Sequence, residues 1–76
     1  MSEVEFLSIF ADNLRDLMQE VGMGQNELAS TIGIDKAAVS RYLNKQIIPS
    51  LPTYVNICNA LGCDLEELVP TYDYIH

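Results

Sequence analysis

Apolar positions recur at helical spacing in four places along this chain, and no stretch alternates cleanly enough to form a strand. Phe6, Phe10, Leu14, Leu17, Met18 and Val21 step by three and four residues along one stripe. Glu3, Asp12, Arg15, Asp16 and Glu20 fall mostly elsewhere, as a solvated face. Ser2 with Glu5 three residues later makes a capping box, so the first helix begins almost at the first residue. Gly22 ends it, and Met23 tucks inward. A second helix is expected from about Gln25 to Ile32, behind Gly24 as a weak N-cap, and a third from about Lys36 to Asn44. Residues 45–50, Lys-Gln-Ile-Ile-Pro-Ser, form an exposed loop in which Pro49 breaks the helical path. Ser50 caps a fourth helix with Pro52 in its first turn, where a missing N–H costs little, and with Leu51, Tyr54, Val55, Cys58 and Leu61 as its core stripe. Gly62 stops that helix. Asp64 and Glu67 make a second capping box for a short fifth helix carrying Leu65, Leu68 and Val69, which ends before Pro70. The expectation is an all-α fold, one domain over residues 1–76 with its core in 6–69 and a partly aromatic tail at 70–76.

The junction between the second and third helices organises the rest. Leu28, Ala29 and Ile32 carry one apolar periodicity; Val39, Tyr42 and Leu43 carry the other, and the two meet at Gly33. Gly33 can adopt the left-handed backbone that ends a helix, and Asp35 can cap the next one by accepting its free N–H groups. So short a connection forces a steep crossing, which needs a small residue where the helices meet; Ala29 falls where Val39 would pack on it. That is the geometry of a helix-turn-helix.

Composition narrows the classes. A 76-residue chain buries only about 60% of its unfolded surface, so its stability rests on dense helix packing. The formal charge of −7 argues by itself against a polyanion as partner. Its distribution changes that: residues 1–23 sum to −4, residues 24–50 to +1 and residues 51–76 to −4. Three of the four basic side chains crowd the third helix and its exit, so an acidic body can present one locally basic element to DNA. Cys58 and Cys63 read as reduced core or near-core residues. A disulfide needs an oxidising compartment and a metal site needs more ligands than the single His76 supplies, so neither metal nor cofactor is expected. No apolar run approaches the roughly 20 residues of a membrane span and the start of the chain is acidic, so a cytoplasmic location is expected. No paired carboxylates near a His, no nucleophile beside a base and no phosphate loop argue for an enzyme.

At residues 10–69 the chain resembles the Cro and phage-repressor type of helix-turn-helix DNA-binding proteins, also called the xenobiotic-response-element type. The residues that carry the resemblance are Gln-x-Glu-Leu-Ala at 25–29, Gly33, Val39-Ser40-Arg41, Asn44, Pro49-Ser50-Leu51, Ala60-Leu61-Gly62 and Leu65-Glu66-Glu67-Leu68. Singly each is weak; in this order and spacing they are specific. The resemblance implies a compact five-helix domain with the helix-turn-helix at helices two and three. It also implies a small bacterial or phage transcriptional regulator, repressor-like and without catalysis. By the same resemblance Gln25 holds a DNA phosphate, Lys36, Ala37, Ser40 and Arg41 read base edges, and Asn44 supports the approach to the backbone.

Elementary chemistry is consistent with those roles. Gln25 stands at a helix N-terminus, where free N–H groups and positive partial charge favour an anion. Lys36, Ala37, Ser40 and Arg41 lie at i, i+1, i+4 and i+5, on a face opposite Val39, Tyr42 and Leu43, so they can enter a major groove together. Arg41 and Lys36 suit guanine O6 and N7, Ala37 a thymine methyl, and Ser40 several bases. Lys45, at the helix exit, is placed for a phosphate. Each has a plainer reading: Gln25 as an ordinary polar helix start, the cations as a solvated face, and Asn44 as a helix-end residue.

Two departures from the family pattern matter. Many members place an Arg late in helix one and a Glu late in helix three as a buried ion pair. The positions here hold Met18 and Leu43, so an apolar contact is expected in place of the pair. The loop after Asn44 lacks the usual Gly and carries Ile47 and Ile48. One module has few cations for tight binding, so a homodimer on two half-sites is expected, joined through helix five, Tyr72, Tyr74 and Ile75 of the tail, and Ile47 and Ile48. The competing reading is a protein-interaction module, such as an antitoxin or a regulatory subunit, with weak or no DNA binding.

Overall fold

The computed structural model describes residues 1–70; the tail positions Tyr72, Tyr74, Ile75 and His76 lie outside the described residues. Among the described residues five helices follow one another: α1 (Glu3–Val21), α2 (Gln25–Ile32), α3 (Lys36–Leu43), α4 (Leu51–Leu61) and α5 (Leu65–Leu68). Most of their ends are set by the expected chemistry. The Glu5 N–H donates to Ser2 Oγ at 3.1 Å and the Ser2 N–H donates to Glu5 Oε1 at 3.4 Å, closing the first capping box. The Thr53 N–H donates to Ser50 Oγ at 3.4 Å, and the Asp64 N–H donates to Glu67 Oε1 at 3.0 Å. Gly33 has φ +74°, the left-handed conformation, and its N–H donates to the Ala29 carbonyl at the end of α2. No neighbouring atom lies within 4 Å of where a Cβ on Gly33 would sit, so backbone conformation, not crowding, selects glycine there.

The core is a single cluster drawn from all five helices. Phe10, Leu14, Leu28, Val39, Ile57, Leu68 and Val69 are its fully enclosed members. At its centre Phe10 stacks on Phe6 and Tyr54, with centroids 6.1 Å away in each case, and meets Tyr42 edge-on at 5.7 Å. One ring thus ties α1 to α3 and α4, and offset or edge-on pairs of this kind suit the quadrupoles of the rings. Between α4 and α5, Tyr54 Oη donates to the Leu65 carbonyl. Between α1 and the end of α5, Asn13 Nδ2 donates to the Leu68 carbonyl at 2.8 Å.

Several expectations need correction. In α4 Tyr54, Cys58 and Leu61 are buried as expected, but Leu51 is 71% exposed, Val55 is half-buried and Ile57 is the fully enclosed member of the stripe. Val21 is exposed because α1 has by then run past the core, while Ala11, beside Phe10, is fully enclosed. Leu65 is exposed and Pro49, within the exposed loop, is buried. The third helix ends at Leu43, with Asn44 as its C-cap. Asp35 holds the N-cap backbone conformation but makes no side-chain capping bond, so it does not tie down the first turn of α3. Arg15, assigned to the solvated face, instead spans to α3: its Nη2 donates to the Leu43 carbonyl at 3.3 Å.

Both cysteines are free thiols. Burial pushes the Cys58 thiol up to about 12, and burial likewise raises Cys63. Cys58 Sγ donates to the Asp64 carbonyl at 3.8 Å, so the pair serves packing at the α4–α5 corner.

Candidate nucleic-acid interface

The face presented by α3 follows from what its other face must bury. Val39, Tyr42 and Leu43 point into the core, so the helical period turns Lys36, Ala37 and Arg41 outward, all exposed, with Ser40 half-buried between them. Ala29, the small residue expected where α2 meets α3, is buried along with Val39 in the shared core. Gln25, the first residue of α2, is exposed on a groove of about 490 Å³ lined also by Arg15, Met18, Gln19, Met23 and Leu43. Met18 and Leu43, the two apolar residues expected to meet, are both buried in the core and both line that groove. Exchange of both charges for apolar groups leaves neither stranded.

The exit of α3 is tightly organised. Asn44 Nδ2 donates to Ser40 Oγ at 3.3 Å, one turn back on the outward face. Lys45 has φ +62°, the left-handed region, and is the only non-glycine residue there among the described residues. The Gln46 N–H donates to the Arg41 carbonyl at 2.9 Å, closing the helix end over Lys45. The Lys45 ammonium lies 3.7 Å from Asp12 Oδ1 of α1. Sequence reasoning missed this pairing and the Arg15 bond to Leu43, because each joins residues far apart in the chain. Its seven assigned positions, Gln25, Lys36, Ala37, Ser40, Arg41, Asn44 and Lys45, are all at least partly exposed and sit on α2, α3 or the α3 exit. Lys36 and Arg41 make no ion pair among the described residues. No group of three His, Cys, Asp or Glu side chains among the described residues is arranged to hold a metal ion, and no described helix is long and apolar enough to cross a membrane.

This arrangement is matched by known proteins. Residues 14–68, from within α1 to the end of α5, match the HTH_3 helix-turn-helix family. The chain belongs to that family. It is a DNA-binding helix-turn-helix regulator. The restriction-modification controller protein C.AhdI from Aeromonas hydrophila has a similar structure, with a TM-score of 0.77 at 31% sequence identity over 82% of this chain and 94% of that one. The hypothetical transcription factor NHTF from Neisseria gives 0.80 at 28% identity, over 88% and 75% of the two chains. An HTH_3 family transcriptional regulator from Vibrio cholerae gives 0.83 at 20% identity and shares the fold; the alignment covers 97% of this chain and 42% of that one. No curated protein sequence matches the chain.

Proposed function

We propose that two copies of this chain bind a two-fold operator, each laying α3 in the major groove, and that the protein regulates transcription, as a repressor in the simplest case, without catalysis. The observation that carries this reading is the placement of charge: in an acidic chain, Lys36 and Arg41 are exposed together on the one helix face that the core leaves outward. In this reading Arg41 and Lys36 address guanine, Ala37 meets a thymine methyl, and Ser40 accepts or donates according to the base. Gln25 and Lys45 hold phosphates, which fixes register without reading sequence. Asn44 braces Ser40 from one turn away, as its hydrogen bond supports.

The dimer contact proposed is the exposed aliphatic surface formed by Ile47, Ile48, Leu51 and Leu65, none of them on α2 or α3. A groove of about 290 Å³ lies at Leu51 and Leu65 and is lined also by Phe6, Pro49, Tyr54 and Glu66. Two copies would double the few available phosphate contacts and set half-sites about 34 Å apart. A cytoplasmic setting goes with this role. One observation favours the second reading, a module that binds a protein partner: two of the four cations, Arg15 and Lys45, already have partners within the chain.

Selection from random DNA, followed by binding over a salt series, separates the readings. Enrichment of a palindromic site with a steep salt slope is expected. No enriched sequence together with a slope near zero would reject DNA readout. Sedimentation of the free protein tests the dimer.

A further inference from the structure

We propose that Asp12 competes with DNA phosphate for Lys45 and so holds the protein's affinity for all DNA below what its cations allow; the inference rests on the DNA-binding reading of α3. The contact is built into the fold. Asp12 and Arg15 are one helical turn apart on the same side of α1, and both reach the end of α3: Arg15 donates to the Leu43 carbonyl at 3.3 Å, and Asp12 faces the Lys45 ammonium at 3.7 Å. Beneath them the edge-on contact of Phe10 with Tyr42 fixes α1 against α3. Lys45 is constrained as well, since its left-handed backbone is closed by the N–H bonds of Lys45 to Tyr42 and of Gln46 to Arg41.

Carboxylate and phosphate are acceptors of the same kind for an ammonium. Lys45 cannot serve a phosphate while Asp12 remains beside it without placing two negative groups together. The pair is about half exposed, 46% for Lys45 and 58% for Asp12, so water screens it and it can be exchanged. It therefore acts as a graded brake rather than a lock. Because a phosphate-contacting lysine carries no base information, the brake lowers operator and random DNA affinity alike and leaves their ratio unchanged.

The test compares wild type, Asp12→Asn, Asp12→Ser, Asp16→Asn and Lys45→Ala, with Lys45→Ala also placed in the Asp12→Asn background. Each is titrated with a selected operator duplex and a random-sequence duplex at several salt concentrations, with circular dichroism to verify folding. Both Asp12 variants should bind both duplexes about two- to fivefold more tightly at low salt. Their log–log salt slope should steepen by about 0.9, one further phosphate neutralised. Asp16→Asn, which removes the same charge one turn along α1, should change far less. Lys45→Ala should lose more affinity in the Asp12→Asn background than in wild type. Unchanged or weaker binding by the Asp12 variants, an equal gain from Asp16→Asn, or equal losses from Lys45→Ala in both backgrounds would overturn the competition. A wild-type protein that binds neither duplex at any salt would instead remove the DNA contact itself, and the competition with it.

Discussion

Phe10 is the side chain whose loss should reveal most about how α3 is held. It is fully enclosed and makes ring contacts to Phe6, Tyr54 and Tyr42 at 6.1, 6.1 and 5.7 Å, so it links three helices through one group. Two substitutions separate its contributions. Phe10→Leu keeps most of the apolar volume and removes only the ring contacts, each worth about 0.5–1.5 kcal/mol beyond burial; allowing for non-additivity, a loss of about 2 kcal/mol is expected. Phe10→Ala adds a cavity and should cost about 4 kcal/mol. Against a total stability of roughly 4–11 kcal/mol for a chain this size, the Ala variant approaches the limit of folding and the Leu variant does not. In melting temperature the Leu variant should fall by about 8–16 °C. Urea denaturation followed by circular dichroism would measure both, with an unchanged slope on denaturant for the Leu variant. Operator affinity of Phe10→Leu, measured well below its midpoint, should stay near wild type because the outward face of α3 is untouched. If the Leu and Ala variants lose the same stability, or if Leu loses less than about 0.5 kcal/mol, the rings do not hold the helices as argued.

Four further outcomes are expected. Arg41→Ala should lose about 1–3 kcal/mol of operator binding and relax preference at one base, while Lys45→Ala weakens every sequence alike; a repeat of the DNA selection with each variant checks this. Gly33→Ala meets no steric block, so its cost should be only that of a left-handed backbone, about 1 kcal/mol, read as a fall of about 4–8 °C in melting temperature. Burial lifts Cys58 to about 12, so above pH 9 the unfolded thiol gives up its proton while the native one keeps it. Fewer protons are then bound in the unfolded state and stability declines as pH rises from about 9 towards 12; the decline should become shallower in Cys58→Ala but persist, because burial raises Cys63, Tyr42 and Tyr54 as well. Leu51→Glu and Leu65→Glu, both at exposed positions, should leave the melting of a monomer near unchanged while shifting sedimentation from dimer to monomer.

Much of the fold was legible because its signals are local. The capping pairs Ser2–Glu5 and Asp64–Glu67 sit within one turn, and glycines mark the ends of α1, α2 and α4. A residue's tendency to end a helix does not depend on distant neighbours. The stripe of α4 was harder: Leu51 and Ile57 are equally apolar, and only the position of α2 and α1 around that helix decides that Ile57 is enclosed and Leu51 is not. The candidate interface divides in the same way. Which residues of α3 face outward followed from its period. The partners of Arg15 and Lys45 did not, because each contact depends on the angle at which α1 crosses the end of α3.

By itself, the sequence determined five helices, a left-handed hinge at Gly33 and an outward-facing run of Lys36, Ala37, Ser40 and Arg41, since each depends on spacing within a few residues. Tertiary structure alone decided how much of the small positive charge is open to a partner. A charge is less open to a partner when a neighbour shares it, and the neighbours here, the Leu43 carbonyl for Arg15 and Asp12 for Lys45, are brought in by the packing of α1 against α3.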